Sequence, residues 1–347
     1  MGKSYYGGQA VMEGVMMQGP HGKAIACRKE DGSIVYSVQE LQAPKERYPI
    51  LGWPVIRGCV SFFLSLKSGV QDLTWSAAQQ GESEEEKLST RDLVLAVGLA
   101  LLLTVVFFVA LPVLIGTWAH PYIGDFGRSL LEGILRLLLF VGYVLAIRRM
   151  PDVRRLFAYH GAEHKTINAL EAGALLTGEK VREYSRIHTR CGTSFIMMVV
   201  VLMLLVFTFI GQTNSAWARI GIKLLLLPVI AGLSYELFRL PLRFPNSRLV
   251  KLLVAPGLAL QHLTTAEPDD GQLQVAIAAL THVPQFAAQD QLPPDMTEAD
   301  AEQGEAAESA PQGAEEPAST PGLAPESVPE AEPASISSPA AASVPEP

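Results

Sequence analysis

One run of 23 residues without a charged side chain limits what this chain can fold into. It extends from Leu93 to Ile115 and reads LVLAVGLALLLTVVFFVALPVLI. At about 1.5 Å per residue, a helix of this length crosses a bilayer core of about 30 Å. A second uncharged run covers Thr193 to Gly211, and two more apolar runs, Ser129 to Ile147 and Ile220 to Phe238, contain ionisable groups. We therefore predict an all-α polytopic membrane protein with about four transmembrane helices.

The acidic residues are concentrated at the C-terminal end of the chain. The 347 residues have a formal net charge of −8. From Asp290 onward there are 13 acidic and no basic residues, so residues 1–289 carry 27 − (35 − 13) = +5. Segments rich in Pro, Ala, Glu and Ser bury too little apolar surface to offset the entropy of ordering. We predict a disordered acidic tail from 283 to 347, which is either a spacer or a docking segment.

Basic residues near the apolar runs predict the orientation. The loop from Arg148 to Gly192 has nine Lys and Arg, whereas the two opposite loops have only Arg128 and Arg219. Loops rich in Lys and Arg stay in the cytoplasm, so both termini and the central loop are expected there. Contact with anionic lipid accounts for the basic residues that begin this loop, and no nucleic-acid partner is expected.

The chain divides into seven predicted segments. Asp31-Gly32 between two β-prone runs is a hairpin signal and places a small β element in the first segment. An amphipathic helix at the membrane interface is expected in the second, with a re-entrant or fifth transmembrane helix as the alternative. The segments are 1–50 (glycine-rich and β), 51–92 (interfacial helix and linker), 93–147 (two spans), 148–192 (cytoplasmic loop), 193–238 (two spans), 239–282 (two amphipathic helices) and 283–347 (tail).

The central loop contains a helix with an unusual polar stripe. Pro151-Asp152 is a helix-start signal, and the stretch YHGAEHKTINALE follows from Tyr159. Four residues lie within about 80° of one another on this helix, at about 100° per residue: His160, His164, Asn168 and Glu171. Two imidazoles one turn apart bind one metal ion, and a carboxylate on the same face completes the set. A polar surface without a metal is the alternative.

Glu163 lies beside that stripe and gives the helix a catalytic pattern. The spacing His160-x-x-Glu163-His164 is that of H-x-x-E-H sites, in which two histidines bind zinc and the glutamate acts as general base. The same loop supplies His188 and Cys191, and imidazole and thiolate both bind zinc. For this pair the alternative is a histidine at a helix end or lipid headgroup and a small buried cysteine.

Three other acidic residues are candidates for function. Glu13 lies within GGQAVMEGVMMQGP, a turn-rich stretch that is expected to form a loop against the membrane domain. Glu132 and Arg136 are one turn apart and are expected to pair, or to line a polar pathway as in a transporter. Glu236 near the cytoplasmic end of the fourth span is either a further metal ligand or a glutamate at the level of the lipid headgroups next to Arg239.

Four blocks of the sequence, in this order, resemble those of the YqhQ-like family. They are YGGQAVMEGVMMQGP, YHGAEHKTINALE, HTRCGTSF and PGLALQHLTTAEPDDGQLQVAIAAL, and they span about Tyr6 to Leu280. The chain departs from the family pattern at Gln18, Thr189 and Gln274. The resemblance implies a bacterial inner-membrane protein from a family of unknown function whose members are labelled predicted metal-dependent enzymes.

The leading functional hypothesis is a hydrolytic metal-dependent enzyme at the cytoplasmic face of the membrane. His160 and His164 would bind a divalent metal such as zinc, Glu163 would be the general base, and Glu171 would be a third ligand or a partner of one. His188 and Cys191 are further candidate ligands. The expected partners are membrane lipids and either a substrate or another protein. The alternatives are a non-catalytic metal-binding membrane protein and a small transporter.

Overall fold

The computed structural model describes residues 6–40, 53–80, 90–209, 215–244, 246–286 and 291–292. It is mostly helical, with a four-stranded antiparallel sheet near the N-terminus. The strands are β1 (Gly7–Val11), β2 (Gly14–Gln18), β3 (Gly22–Arg28) and β4 (Ile34–Glu40). The helices are α1 (Ile56–Ala78), α2 (Thr90–Val105), α3 (Leu111–Ile147), α4 (Pro151–Glu171), α5 (Gly178–Arg182), α6 (Gly192–Phe209), α7 (Ala216–Phe238), α8 (Leu240–Arg243), α9 (Arg248–Thr264) and α10 (Asp270–Thr281), and a π-helical turn (Val106–Ala110) joins α2 to α3.

The sheet is a meander in which each strand pairs with the next along the chain. Gly32 lies in the turn between β3 and β4 with φ +84°, and the Asp31 carboxylate accepts a hydrogen bond from the Ser33 backbone N–H at 2.8 Å. The predicted hairpin is therefore confirmed. The glycine-rich stretch before it, expected to be a loop, also forms a hairpin, with Glu13 at φ +50° in the turn between β1 and β2.

Both faces of the sheet are covered by helices. Successive side chains of a strand point to opposite faces. Val15 and Met17 of β2 therefore belong to the core that includes Tyr159 of α4 and much of α10. Met16, between them, belongs to a cluster on the other face that packs against Trp75 of α1. The sheet is thus held between α1 on one side and α4 with α10 on the other.

Polar contacts also join the sheet to distant parts of the chain. Lys23 of β3 forms an ion pair with Asp72 of α1, and the two side chains are only 4% and 2% exposed. Arg28, at the end of β3, donates to the Gly271 carbonyl oxygen at 3.1 Å and to Gln274 at 3.0 Å. Residues 6–40 therefore fold against α10, more than 200 residues later in the chain.

Two helical stretches are long and apolar enough to cross a bilayer, by length and composition: residues 94–147 and α7. Gly192–Thr208, in α6, is apolar but shorter. All described residues of the four predicted spans are helical and lie in α2, the π-helical turn, α3, α6 or α7. Residues 210–211 of the third predicted span lie outside the described residues.

The long helix α3 reverses direction at Gly124. This residue has φ +66° and ψ −173°, which is not helical. Arg136, beyond Gly124, donates from Nε to the Phe108 carbonyl oxygen at 2.7 Å. A Cβ atom on Gly116 would lie 2.6 Å from Cγ of Glu132. An unbroken helix would hold Gly116 and Glu132, 16 residues apart, about 24 Å from each other. Because these residues are in contact, the segments on either side of Gly124 run antiparallel.

The segment expected at the membrane interface forms the single helix α1. It packs closely on α7, where a Cβ atom on Gly58 would lie 2.6 Å from the Gly232 carbonyl oxygen. Arg57 at its start forms an ion pair with Glu236. Phe63, Leu64 and Leu66 are exposed on its surface, which fits an interfacial helix. Residues 81–89 of the predicted linker lie outside the described residues.

The predicted C-terminal helices and the start of the tail are also resolved. α10 begins after Asp269, whose carboxylate accepts from the Gln272 N–H at 2.8 Å while Gln272 caps the Asp269 N–H in return. The tail was expected from residue 283. However, Val283, Phe286 and Leu292 are buried in the core, so these three residues belong to the packed body. The rest of the tail lies outside the described residues.

Candidate metal centre

The histidine helix α4 lies against the segment that joins α9 to α10. A Cβ atom on Gly161 would overlap the Ala266 carbonyl oxygen, so glycine allows this close approach. The Ala266 N–H also donates to the Phe157 carbonyl oxygen at 2.8 Å. These contacts fix the position of α4 along its own axis. They place the stripe that contains His160 and His164 next to the start of α6.

Two histidines of α4 are oriented by backbone carbonyl groups. Nδ1 of His160 donates to the Thr264 carbonyl oxygen at 2.9 Å, and Nδ1 of His164 donates to the Arg186 carbonyl oxygen at 2.6 Å. A carbonyl oxygen only accepts, so each ring carries a proton on Nδ1, and in the neutral ring the Nε2 lone pair is free. This tautomer and this outer hydrogen bond are characteristic of metal-binding histidines.

Cys191 completes a compact set of ligand atoms. It directly precedes α6, and its Sγ lies 3.1 Å from Nε2 of His160. One ligand atom from each of His160, His164 and Cys191 falls within 4.8 Å of the other two. Nitrogen and sulfur ligands in this arrangement are the usual set for zinc. The structure therefore brings together three of the predicted ligands.

Two buried imidazole nitrogens have no hydrogen-bond partner among the described residues: Nε2 of His164 and Nε2 of His188. The His164 side chain is fully buried and His188 is 4% exposed. An unpaired buried polar atom costs about 1–3 kcal/mol. The ring centroids of His164 and His188 are 5.8 Å apart, so the two unpaired nitrogens belong to the same buried region.

Burial keeps these two histidines in the form that binds metals. Desolvation lowers the pKa of His164, and it also lowers the pKa of His188 despite the opposing effect of Glu163. Both rings are therefore neutral at pH 7, and neutral imidazole is the ligand form.

Glu163 lies beside the predicted ligands. Its Oε2 is 3.5 Å from Nε2 of His164 and 3.9 Å from Nε2 of His160. Desolvation raises the pKa of this buried carboxyl group, and His160 and His188 oppose the shift. A Cβ atom on Gly8 of β1 would lie 2.7 Å from Cγ of Glu163. The sheet thus forms one wall of the site, and Gly8 leaves space for the carboxylate.

Asn168 and Gln261 hold the loop that carries His188 and Cys191. Nδ2 of Asn168 donates to the carbonyl oxygens of Ser185 and Ile187 at 2.7 and 3.1 Å. Gln261 accepts from the His188 N–H at 2.8 Å and donates to the His188 carbonyl oxygen at 2.7 Å. The amide nitrogen of Asn168 therefore positions the loop. Sequence reasoning missed Gln261, although it lies in the fourth of the family-like blocks.

Glu171 and Glu13 lie outside the set of ligand atoms. Glu171 is paired with Arg190, and its other oxygen is 3.6 Å from Nε2 of His188, the nitrogen that has no hydrogen-bond partner among the described residues. Glu13 is paired with Arg155 at the turn of the first hairpin and accepts from the Tyr159 hydroxyl at 3.2 Å. Glu13 therefore helps to attach the sheet to α4.

Glu236 and Glu132 are held by ion pairs to other helices. Glu236 pairs with Arg57 of α1 rather than with Arg239, and it is not among the grouped ligand atoms of His160, His164 and Cys191. The expected pairing of Glu132 with Arg136 is wrong. Glu132 instead pairs with Arg219, at 2.7 Å, and with Lys223 of α7. The one-turn spacing was outweighed because α7 offers two cations, while Arg136 donates to a backbone carbonyl of the neighbouring segment.

A cavity of about 520 Å³ opens beside the candidate centre. It is bounded by β1, α1, α4, α6 and α7, and most of its lining is apolar. His160 contributes to the lining, as do Arg190, Gly192 and Thr193, which flank Cys191. The cavity therefore connects the ligand atoms with the space between the helices.

Comparison with known proteins identifies the family. The model of a family described as "Protein of unknown function (DUF1385)" matches residues 53–285. The chain is 33% identical over 296 residues to "Uncharacterized protein YqhQ" of Bacillus subtilis (strain 168). This alignment covers 80% of the present chain and 92% of that protein. No solved structure matches. The chain therefore belongs to the YqhQ-like, DUF1385 family of proteins of unknown function.

Proposed function

We propose that this protein is a metal-dependent hydrolase at the cytoplasmic face of a bacterial inner membrane. The observation that carries the proposal is the grouping of His160, His164 and Cys191 within 4.8 Å. The Nδ1 atoms of both histidines are engaged by backbone carbonyls, and Nε2 of His164 is buried without a partner among the described residues. A divalent metal would bind Nε2 of His160, Nε2 of His164 and Sγ of Cys191. Zinc is the best fit to nitrogen and sulfur ligands.

The roles of the surrounding residues follow from their positions. A metal held by His160, His164 and Cys191 would supply Lewis acidity and make a bound water more acidic. Glu163 is placed to take a proton from the attacking water and return it to the leaving group, because its carboxylate faces both histidines and burial raises its pKa. A raised carboxyl pKa favours this exchange near neutral pH.

The proposed membrane arrangement has four spans. The helical stretch that reverses at Gly124 supplies two, and α6 and α7 supply the others. Nine basic residues in the loop from Arg148 to Gly192 favour a cytoplasmic location for that loop. The metal site, which is built from this loop and α9, then lies at the inner surface of the membrane, and both termini are cytoplasmic.

A second candidate is a metal-binding protein without catalytic activity. Structural zinc sites are closed by four protein ligands, whereas catalytic sites leave one position open. Oε2 of Glu163 is 3.5 Å from Nε2 of His164, and His188 is also close, so either residue could move to fill the fourth position. In that case the site would stabilise the loop and act through a partner.

Elemental analysis of the purified protein tests the metal site. We expect near-stoichiometric metal in the wild type and its loss in His160→Ala, His164→Ala and Cys191→Ala. His262→Ala is the matched control, because His262 is exposed on α9 outside the cluster. A wild-type protein that stays free of metal after incubation with zinc, manganese or iron would refute the proposal.

Glu163→Gln then separates the two candidates. This substitution keeps the size of the side chain and removes its basicity. An enzyme keeps its metal and loses hydrolytic activity, whereas a site closed by Glu163 binds the metal more weakly. Retained activity in this variant would contradict the role of Glu163 as general base.

A further inference from the structure

The cavity beside the metal centre has two chemically different ends. Phe62, Phe195 and Phe238 line it where α1, α6 and α7 meet, and Ile196 and Leu66 extend this apolar surface. At the other end lie His160 and the residues on either side of Cys191. A ligand that fills the whole space must therefore be apolar along most of its length and polar at the end near the metal site.

The position of the cavity indicates where such a ligand comes from. α6 begins and α7 ends beside it, which places it at the level of the inner leaflet in the proposed arrangement. Leu66 lines the cavity and is also 49% exposed, and the adjacent surface of α1 continues with exposed Phe63 and Leu64. Leu66 therefore links the lining of the cavity to the exposed apolar surface of α1, next to the exposed Ser65 and Lys67.

Small residues on α1 and β1 create the space. Ser61 and Ser65, one turn apart on α1, both line the cavity, as do Gly8 and Ala10 of β1. Larger side chains at these positions would fill the volume. At about 520 Å³, the cavity is in the range of about 300–1,000 Å³ found for sites that bury small ligands.

We infer that the cavity binds one hydrocarbon chain of a membrane amphiphile and presents its polar head at His160 and Cys191. This inference rests on the proposed function for the chemistry that follows, and it names the substrate class: a single-chain lipid, or one chain of a larger lipid, with a hydrolysable bond near its head group. Apolar side chains supply the binding energy, about 25 cal/mol per Å² of buried apolar surface, and the metal site acts on the head.

Photo-crosslinking tests the binding of the chain. The probe is a lysophospholipid with a diazirine at the end of its acyl chain, added to the full-length protein in detergent. We expect the crosslinks to map to Phe62, Phe195 or Phe238, and an unlabelled lysophospholipid to compete with them. Crosslinks confined to the exposed residues of α1 and α2 would overturn the inference, because they would show only contact with the detergent-covered surface.

A blocking variant gives the second readout. Ser65→Trp, with Ser61→Phe as a smaller alternative, should lower cavity crosslinking at least about tenfold, a change of about 1.4 kcal/mol in binding. Leu64→Trp is the matched control, because it introduces the same side chain on the same helix at a position that does not line the cavity. If a folded Ser65→Trp protein is labelled in the cavity as strongly as the wild type, the inference is wrong.

Metal content of the same samples separates this inference from the proposed function. Metal retained in Ser65→Trp together with lost crosslinking supports both. Metal present in the wild type without cavity crosslinks leaves the metal site standing and removes the lipid. Cavity crosslinks in a wild-type protein that never takes up metal leave a lipid site and refute the enzyme.

Discussion

Gln261 provides the most direct test of how the candidate centre is held together. Its side chain is fully buried and makes three hydrogen bonds: one from the His188 N–H, one to the His188 carbonyl oxygen and one to the Ser194 hydroxyl, at 2.8, 2.7 and 2.7 Å. Replacement by leucine keeps a similar volume but removes every donor and acceptor. Two backbone groups and one hydroxyl then lose these bonds inside the protein.

The expected cost follows from these three bonds. Each contributes about 0.5–1.5 kcal/mol, and leaving a buried partner unpaired raises the cost to about 1–3 kcal/mol. Allowing for relaxation, we expect Gln261→Leu to lower the free energy of unfolding by about 3 kcal/mol. For a domain of this size, 1 kcal/mol corresponds to about 2–4 °C, so Tm should fall by about 6–12 °C.

Thermal unfolding in detergent, followed by near-UV circular dichroism, measures this effect. Gln274→Leu is the control, because Gln274 is exposed and makes one surface hydrogen bond to Arg28; its Tm should change by less than about 2 °C. Gln261→Leu should also reduce metal content, since the loop that it loosens carries Cys191. A Tm within 1 °C of the wild type would refute the reasoning.

Two further predictions concern the sheet. Lys23→Met leaves Asp72 as a buried charge without its partner and should lower the free energy of unfolding by about 3–5 kcal/mol, whereas the double variant Lys23→Met, Asp72→Leu should recover most of that loss. Chemical denaturation of the wild type and both variants measures these differences. Equal stability of the single and double variants would contradict the prediction. Burial raises the pKa of Cys27 to about 12, so the native thiol should resist maleimide at pH 8 while the half-buried Cys59 reacts, as mass spectrometry of labelled peptides would show. The pKa of Cys27 in the folded protein is above that of an unfolded thiol, about 8.5. The free energy of unfolding therefore keeps its full value below about pH 8.5 and decreases as the pH rises toward 12, because only the unfolded thiol ionises in that range. Cys27→Ala should remove that part of the pH dependence of unfolding.

The histidine helix was predictable because its signals are local. Pro151 fixes the start of α4, and a stripe with a period of 3.6 residues places His160 and His164 on one face without knowledge of the rest of the chain. The cap of α10 is also a local feature, since the carboxylate of Asp269 and its partner Gln272 are three residues apart. Helical spacing alone was misleading where another helix offered stronger partners, as it did for Glu132.

Contacts between distant segments were not predictable. Glycines obscure the two-residue alternation of the first hairpin, so nothing local showed that Gly8 lies against Glu163. Gln261 has no feature of a functional residue until the fold places it beside His188. The reversal at Gly124 depends on a backbone conformation that glycine permits but does not require. Pairing over such distances depends on the whole fold rather than on the local pattern.

The contact between β3 and the start of α10 sets an order for the biogenesis of the protein. Arg28 and Gly271 are 243 residues apart, and at about 5–20 residues per second the ribosome needs about 12–50 s to make the intervening chain. α4 is synthesised well before α10, so the face of the sheet that these two helices cover is closed in two steps, with the apolar helices α6 and α7 made between them. The sheet therefore completes its packing only when α10 has been made, so the enclosed site is finished after the apolar helices α6 and α7 have left the ribosome.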